Sequence, residues 1–244
     1  MKVFAINASP RMDNGNTARI LNPFVEGMKS AGAEVEMAYA QRLKISPCLG
    51  CLNCVLRTPG QCVQKDDMEI TFLQYAFADA IVWATPVYVD GPTAQMKTII
   101  DRLFRAAGIN PGYEIRDGHQ RVKRINNDVA PKKVVLISTC GLYEMDSFDA
   151  LTHFMQAFAR DADFNLVGTL LRPHANVLRG FDLKVEDVFQ AANDAGRQFV
   201  RDGKIADKTS AIVSRELLPR DTYVEVFNRF IEEQTKKNTG AAKL

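Results

Sequence analysis

Hydrophobic and polar positions along the chain follow two alternating patterns. Short apolar runs, rich in β-branched and aromatic residues and flanked by turn formers, are typical of strands. They lie at residues 2–8, 34–40, 79–85, 133–139 and 165–171. Longer segments with apolar residues at helical spacing separate them, at residues 17–31, 67–78, 93–107, 147–162 and 184–202. Strands that alternate with helices predict a doubly wound α/β protein with a five-stranded parallel sheet.

Three segments fall outside this alternation. Residues 47–62 form a cysteine-rich loop after the second strand, and the polar, turn-rich residues 108–130 predict an inserted loop before the fourth. Residues 206–244 predict a C-terminal extension, with an amphipathic helix around 221–234 and a disordered end. We therefore expect one main domain over residues 1–205, followed by the extension.

Charge and hydropathy narrow the class of protein. The formal net charge of the 244 residues is +2, which gives no electrostatic case for binding nucleic acid or an anionic membrane. No apolar run approaches the roughly 20 residues that span a bilayer. The first apolar run is also too short for a signal peptide. These features predict a cytoplasmic protein, in which clustered thiols stay reduced.

A loop with the composition of a phosphate site follows the first strand, in the sequence "NASPRMDNGNTARIL". Ser9, Asn16 and Thr17 supply short polar groups, Gly15 supplies backbone freedom, and a helix follows. The N-terminus of a helix attracts anions through its free N–H groups and its dipole. The two common nucleotide-binding fingerprints are absent. The alternative interpretation is an ordinary capped helix after a turn.

Two further loops favour the phosphate site. The third strand ends in "ATPVYVDG" and the fourth in "STCGLYE", both small and turn-forming. In an open α/β sheet, ligands bind beyond the carboxyl ends of the strands, where the strand order reverses. A phosphate at the first loop and a planar ring between the other two predict FMN as a cofactor.

The cysteine-rich loop has the spacing C-x2-C-x2-C-x7-C, formed by Cys48, Cys51, Cys54 and Cys62. Three thiolates at successive x2 spacing match the run that binds a [4Fe–4S] cluster in bacterial ferredoxins. Structural zinc sites more often join two separated C-x2-C pairs. The spacing favours four ligands of a [4Fe–4S] cluster, with zinc or free, regulatory thiols as alternatives. Asp66, shortly after the last cysteine, is typical of a helix N-terminus.

The segments "NASPRMDNGNT", "ATPVY" and the "DDM" after the cysteines resemble the flavodoxin-like NAD(P)H-dependent FMN reductase superfamily. With its cysteine cluster, the chain resembles the iron–sulfur flavoproteins of that superfamily over about residues 1–200. The resemblance implies the strand order 2-1-3-4-5 and a homodimer or homotetramer. It also implies which residues hold the FMN phosphate, namely Ser9, Arg11, Asn16 and Thr17. It further implies which residues border the flavin ring: Pro86, Val87 and Tyr88 on one side, and Thr139, Cys140 and Gly141 on the other.

Together these features predict an iron–sulfur flavoprotein that transfers electrons between FMN and a [4Fe–4S] cluster. Its redox partner would be NAD(P)H or a ferredoxin-like protein. No side chain is an evident proton donor, so no catalytic residue is predicted. One alternative is an NAD(P)H-dependent FMN or quinone reductase without a cluster. Another is a non-catalytic FMN-binding protein that docks through its tail.

Overall fold

A computed structural model describes residues 1–123, 131–179 and 183–241 of the chain. In these residues the strands are β1 (Lys2–Asn7), β2 (Glu34–Tyr39), β3 (Ala80–Pro86), β4 (Tyr113–Arg116), β5 (His119–Val122), β6 (Lys132–Thr139) and β7 (Phe164–Arg172). The helices are α1 (Asn16–Ser30), α2 (Asn53–Leu56), α3 (Met68–Phe77), α4 (Ala94–Leu103), α5 (Asp149–Asp161), α6 (Glu186–Asp202), α7 (Asp207–Ser214) and α8 (Arg220–Ala241). The predicted alternation of strands and helices is confirmed.

The central sheet is parallel and has the order β2-β1-β3-β6-β7. Since β4 and β5 form a separate hairpin, this is the predicted order 2-1-3-4-5. The chain crosses from β2 on one side of β1 to β3 on the other, so the order reverses between β1 and β3. Register then places the carboxyl ends side by side: Asn7 is next to Ala84, and Pro86 is next to Thr139.

Helices cover both faces of the sheet, because the apolar side chains of the strands alternate in direction. Along β1, Val3 and Ala5 pack against α1 and α6, whereas Phe4 and Ile6 pack against α3, α4 and α5. Helices α1 and α6 approach so closely that a Cβ on Gly196 would lie 2.1 Å from the carbonyl oxygen of Phe24. Both cores are dry and tightly packed, and they hold the carboxyl edge of the sheet in place.

The inserted segment contains the β4–β5 hairpin, which the sequence did not predict. Its strands have four residues each, and Tyr113 and Ile115 are exposed, so no alternation of buried and exposed positions marks them. Arg116 ties the hairpin to the start of β7 through a 3.4 Å ion pair with Asp163. Residues 124–130 of the predicted insertion lie outside the described residues.

The C-terminal extension consists of α7 and α8. Val213 in α7 is buried in the core beneath α6, and α8 carries the predicted amphipathic segment 221–234. The sequence predicted a disordered end; the backbone is helical up to Ala241, and residues 242–244 lie outside the described residues. Among the described helices, none is long and apolar enough to cross a membrane.

Candidate cofactor site

The first loop, residues 8–15, follows β1 and leads into α1. The carboxamide of buried Asn7 accepts a hydrogen bond from the Ser9 amide at 2.9 Å, and the Ser9 hydroxyl accepts one from the Arg11 amide at 3.3 Å. Glycine is required at position 15, since a Cβ there would lie 2.4 Å from the Ser9 hydroxyl oxygen. No side chain caps α1. Its first amides are therefore not occupied by a side-chain oxygen, which suits an anion such as phosphate.

The second loop, residues 86–93, leaves β3 as a tight turn. Tyr88 and Gly91 exchange backbone hydrogen bonds of 3.0 and 3.1 Å, and Val89 between them has a left-handed backbone with φ 46°. A β-branched residue rarely adopts that conformation, which is found mostly where the surroundings impose it. The turn leaves the Tyr88 ring about half exposed and Val89 fully exposed at the carboxyl edge. Pro86 and Val87 are half-buried beneath it.

The third loop, residues 139–143, follows β6. Cys140 is buried, its amide donates to the Arg172 carbonyl at 3.0 Å, and its sulfur accepts from the Leu142 amide at 3.3 Å. Burial raises the pKa of the Cys140 thiol. This thiol is therefore protonated at neutral pH and serves as a small packed side chain, while neighbouring Gly141 is exposed.

Buried hydroxyls connect these three loops. Thr17 at the start of α1 and Thr139 at the end of β6 share a 2.9 Å hydrogen bond. Thr93 donates to the Ala8 carbonyl at 2.9 Å, which joins the second loop to the first. The Val87 amide donates to the Thr139 carbonyl at 2.9 Å, which joins the second to the third. The structure thus brings the three predicted loops to one edge of the sheet. Arg11 is exposed at the margin of the first loop.

The cysteine loop, residues 47–62, presents four free thiols. Cys48 and Cys51 are exposed, while Cys54 and Cys62 are half-buried. Burial raises the pKa of Cys54, and the thiols of Cys62, Cys48 and Cys51 raise it further, so all four lie within electrostatic range of one another. Left-handed turns at Gly50 (φ 64°) help to reverse the chain between them. The loop packs on the segment after α4, where a Cβ on Gly108 would lie 1.7 Å from the Cys54 carbonyl oxygen.

A buried ion pair that the sequence did not predict anchors both ends of the cysteine loop. Arg102 of α4 donates to Asp66 at 2.8 and 3.0 Å and to the Ser46 carbonyl at 2.7 Å. Asp66 also accepts from the Ser46 amide at 3.0 Å and, as expected for a helix start, from the Met68 amide at 3.1 Å. Burial raises the pKa of Asp66, but these hydrogen bonds lower it more, so the carboxylate stays ionised.

Two guanidinium groups retain unused donors beneath the cysteine loop. Arg102 is 2 % exposed, and its Nε has no hydrogen-bond partner. Burial lowers the pKa of Arg102, whereas Asp66 and the adjacent Cys62 thiol raise it more. Arg105 donates from Nε to the Gly60 carbonyl at 2.8 Å, and its buried Nη1 has no partner. Free cationic donors beside thiols fit an anionic group bound through thiolates, because buried donors are normally satisfied.

The sulfur atoms are not arranged around a single ion. In the described residues, no group of three or more His, Cys, Asp or Glu side chains is placed to hold one metal ion. Zinc would need four sulfurs at about 2.3 Å from one point. In a [4Fe–4S] cluster each thiolate binds its own iron, so the four sulfurs surround a larger body. The thiol set and the free arginine donors fit that group.

Comparisons with known proteins agree with this geometry. The sequence model of the family described as NADPH-dependent FMN reductase matches residues 1–172. An iron-sulfur flavoprotein of Methanocaldococcus jannaschii is 39% identical over 111 residues, which are 46% of this chain and 54% of that protein. One from Archaeoglobus fulgidus is 40% identical over 104 residues, 43% of this chain and 46% of the relative. The chain spans about half the length of these curated relatives.

Solved structures share the fold at low sequence identity. The azoreductase AzrA aligns with a TM-score of 0.61 at 14% identity, over 83% of this chain and 100% of its own. An NAD(P)H:quinone oxidoreductase from Methanothermobacter marburgensis aligns with a TM-score of 0.59 at 17% identity, over 82% and 96%. The family match contains all five strands of the parallel sheet and the three loops at its carboxyl edge. On that match, the chain belongs to the NADPH-dependent FMN reductase family.

Proposed function

We propose that this protein is an FMN-dependent oxidoreductase that transfers electrons between FMN and a [4Fe–4S] cluster. The observation that carries the FMN assignment is the hydrogen-bonded union of three loops where the strand order reverses, within a chain of this family. The cluster rests on the four free thiols, the unused arginine donors beneath them, and the iron-sulfur flavoproteins among the relatives.

Residues of the three loops divide the binding of FMN between them. The amides at the start of α1, with Ser9, Asn16, Thr17 and Arg11, would hold the phosphate. Pro86, Val87 and Tyr88 would border one side of the ring, and Thr139, Cys140 and Gly141 the other. Cys48, Cys51, Cys54 and Cys62 would hold the cluster. Bound FMN supplies the exchange between two-electron and one-electron transfer, and a [4Fe–4S] cluster supplies one-electron capacity.

The chain itself supplies position and electrostatics. Burial keeps the Cys140 thiol protonated, so it offers no anion beside the ring. The exposed Tyr88 and Val89 leave an apolar rim on which a planar electron donor or acceptor can stack. NAD(P)H is the donor class that the family name indicates, and a ferredoxin-like protein is the alternative. The reducing cytoplasm suits both the free thiols and this donor.

Anaerobic purification of the whole protein tests the proposal. We expect one FMN, four irons and four sulfides per chain, a brown colour, and reduction by NAD(P)H or by a reduced ferredoxin. A yellow protein with FMN, rapid NAD(P)H oxidation and no sulfide would establish the alternative, a reductase without a cluster. A protein that binds FMN but accepts electrons from neither donor would instead be a flavin-binding interaction protein. Absence of FMN would refute the proposal as a whole.

The outer face of α3 supports a homodimer or homotetramer. Ile70, Leu73 and Phe77 lie on one face of this helix, and all three are more than half exposed. An apolar stripe of this kind marks an interaction surface, and two-fold association is the commonest way to cover it. Sedimentation at micromolar concentration should show an even-numbered oligomer. A monomer under those conditions would contradict this part of the proposal.

A further inference from the structure

The C-terminal extension makes polar contacts with the third loop that its packing alone does not require. The linker between α7 and α8, residues 215–219, is held by side chains at the end of β7 and in the third loop. Leu217 donates its amide to His174 Nε2 at 3.2 Å, and the Leu218 carbonyl accepts from the Tyr143 hydroxyl at 3.0 Å. The Val213 carbonyl, just before the linker, accepts from buried Arg172 at 2.8 Å. The start of α8 is therefore fixed over the third loop.

Tyr223 in the first turn of α8 reaches the candidate cofactor site from this position. It is 6 % exposed, its ring stacks on Phe227 at 5.8 Å, and its hydroxyl donates to the Gly141 carbonyl. The same hydroxyl accepts from the Asn176 carboxamide at 3.3 Å. Burial raises the pKa of Tyr223, so the hydroxyl stays protonated and continues to donate.

Asn176 extends this contact to the first loop. Its side-chain oxygen accepts from the Asn16 carboxamide at 3.3 Å, while its nitrogen donates to Tyr223. One directional series of hydrogen bonds thus runs from Asn16 through Asn176 and Tyr223 to Gly141. Its two ends are residues proposed for the FMN phosphate and for the flavin ring. Successive hydrogen bonds of this kind strengthen one another in a partly buried environment.

We propose that the C-terminal extension completes the FMN site, with Tyr223 as a positioning residue that sets the first and third loops relative to each other. Asn176 and Tyr223 lie beyond residues 1–172, where the family match ends, so the family supplies no role for them. The inference rests on the proposed function, because it concerns how tightly and in which environment FMN is held.

Replacing Tyr223 by Phe tests the hydroxyl while it keeps the ring and its stacking. Tyr223→Phe leaves the Gly141 carbonyl and the Asn176 amide without their shared partner, which we expect to weaken FMN binding about tenfold. Tyr113→Phe, on the exposed hairpin, is the matched control and should bind FMN like the wild-type chain. Affinity is measured by quenching of flavin fluorescence during titration of the full-length apoprotein, and the visible bands of bound FMN are recorded alongside.

Asn176→Ala separates positioning from stability. It should weaken FMN binding to a similar extent, and the double variant should be little worse than either single one, because all three break one series of hydrogen bonds. We also expect the visible flavin bands to shift in Tyr223→Phe and not in Tyr113→Phe. Unchanged affinity and bands in both Tyr223→Phe and Asn176→Ala would overturn the inference, even if the apoprotein melts earlier. Failure of the wild-type chain to bind FMN would overturn the proposed function instead.

Discussion

The carboxyl-edge loops and the cysteine loop differ in how the fold holds them. In the carboxyl-edge loops, buried hydroxyls such as Thr17 and Thr139 bond directly to each other, and every loop is joined to its neighbour. The cysteine loop is held at its ends by the pair of Arg102 and Asp66, while Cys48 and Cys51 between them remain exposed. One region is formed before its ligand arrives; the other offers ligand atoms on a segment whose middle the fold leaves open.

This difference predicts where binding energy goes in each region. A preformed site loses little ordering entropy when its ligand binds, so its affinity depends on single contacts. A loop that is fixed only at its ends gains order from the group it binds, so binding and local folding are coupled. The FMN side should therefore respond to small changes in proportion. The cysteine side should respond in an all-or-none manner.

The largest effect is expected from loss of a cysteine ligand. Cys51→Ala should remove iron and sulfide completely while FMN stays bound, because the three carboxyl-edge loops do not depend on that thiol. Cys140→Ala is the control with the same chemical change, and it should retain the cluster. Iron, sulfide and FMN are measured on anaerobically prepared protein. Retention of a full cluster by Cys51→Ala, or its loss from Cys140→Ala, would show that the ligands are misassigned.

Breaking the anchor of the cysteine loop should have the next largest effect. Arg102→Met leaves the Asp66 carboxylate buried without its partner, which should lower the free energy of unfolding by about 4 kcal/mol. Lys97→Met on the same helix breaks an exposed ion pair with Asp101 (2.7 Å) and should cost about 0.5 kcal/mol or less. Urea unfolding of both variants measures the difference. Equal effects would mean that Arg102 and Asp66 do not anchor the loop.

Much of the architecture could be predicted from the sequence, because continuous apolar runs and helical spacing report burial directly. The loops at the carboxyl edge followed from where the strands end. The anchor could not be predicted in the same way: Asp66 was interpreted as a helix start, which it also is, and nothing local links it to Arg102, 36 residues away. The Tyr223 contact was hidden for the same reason, since Gly141 lies 82 residues before it.

On the FMN side, a single added charge should weaken binding markedly. Asn16→Asp places a carboxylate at the start of α1, where the phosphate is proposed to bind, and should raise the dissociation constant about a hundredfold, or about 2.7 kcal/mol. Asn165→Asp makes the same change on an exposed residue at the start of β7, the opposite edge of the sheet, and should have no effect. Fluorescence titration with FMN compares the two. Equal affinities would move the phosphate away from the first loop.

Acid should destabilise the packing behind the third loop before other parts of the core. Burial, reinforced by Arg172, lowers the pKa of His174 to about 4. Below pH 6.5 the unfolded chain binds a proton at this position and the folded chain does not, so stability falls as the pH decreases towards 4. Between pH 7 and pH 5 the loss is about 2 kcal/mol. Unfolding free energies of His174→Gln should lack this part of the pH dependence, whereas those of His153→Gln, on the exposed side of α5, should retain it.

The smallest effect tests the preformed site itself. Thr17 and Thr139 are both buried, and their 2.9 Å contact is the direct bond between the first and third loops. Thr17→Val or Thr139→Val removes one hydroxyl and leaves the other without its partner, which should cost about 1 kcal/mol of unfolding free energy. The double variant should cost no more than either single change, since neither hydroxyl then lacks a partner. If FMN binding weakens in step with this stability in all three variants, the loops bind as one unit. Additive losses would show that the two hydroxyls act separately, and that the carboxyl edge is less preformed than the contact suggests.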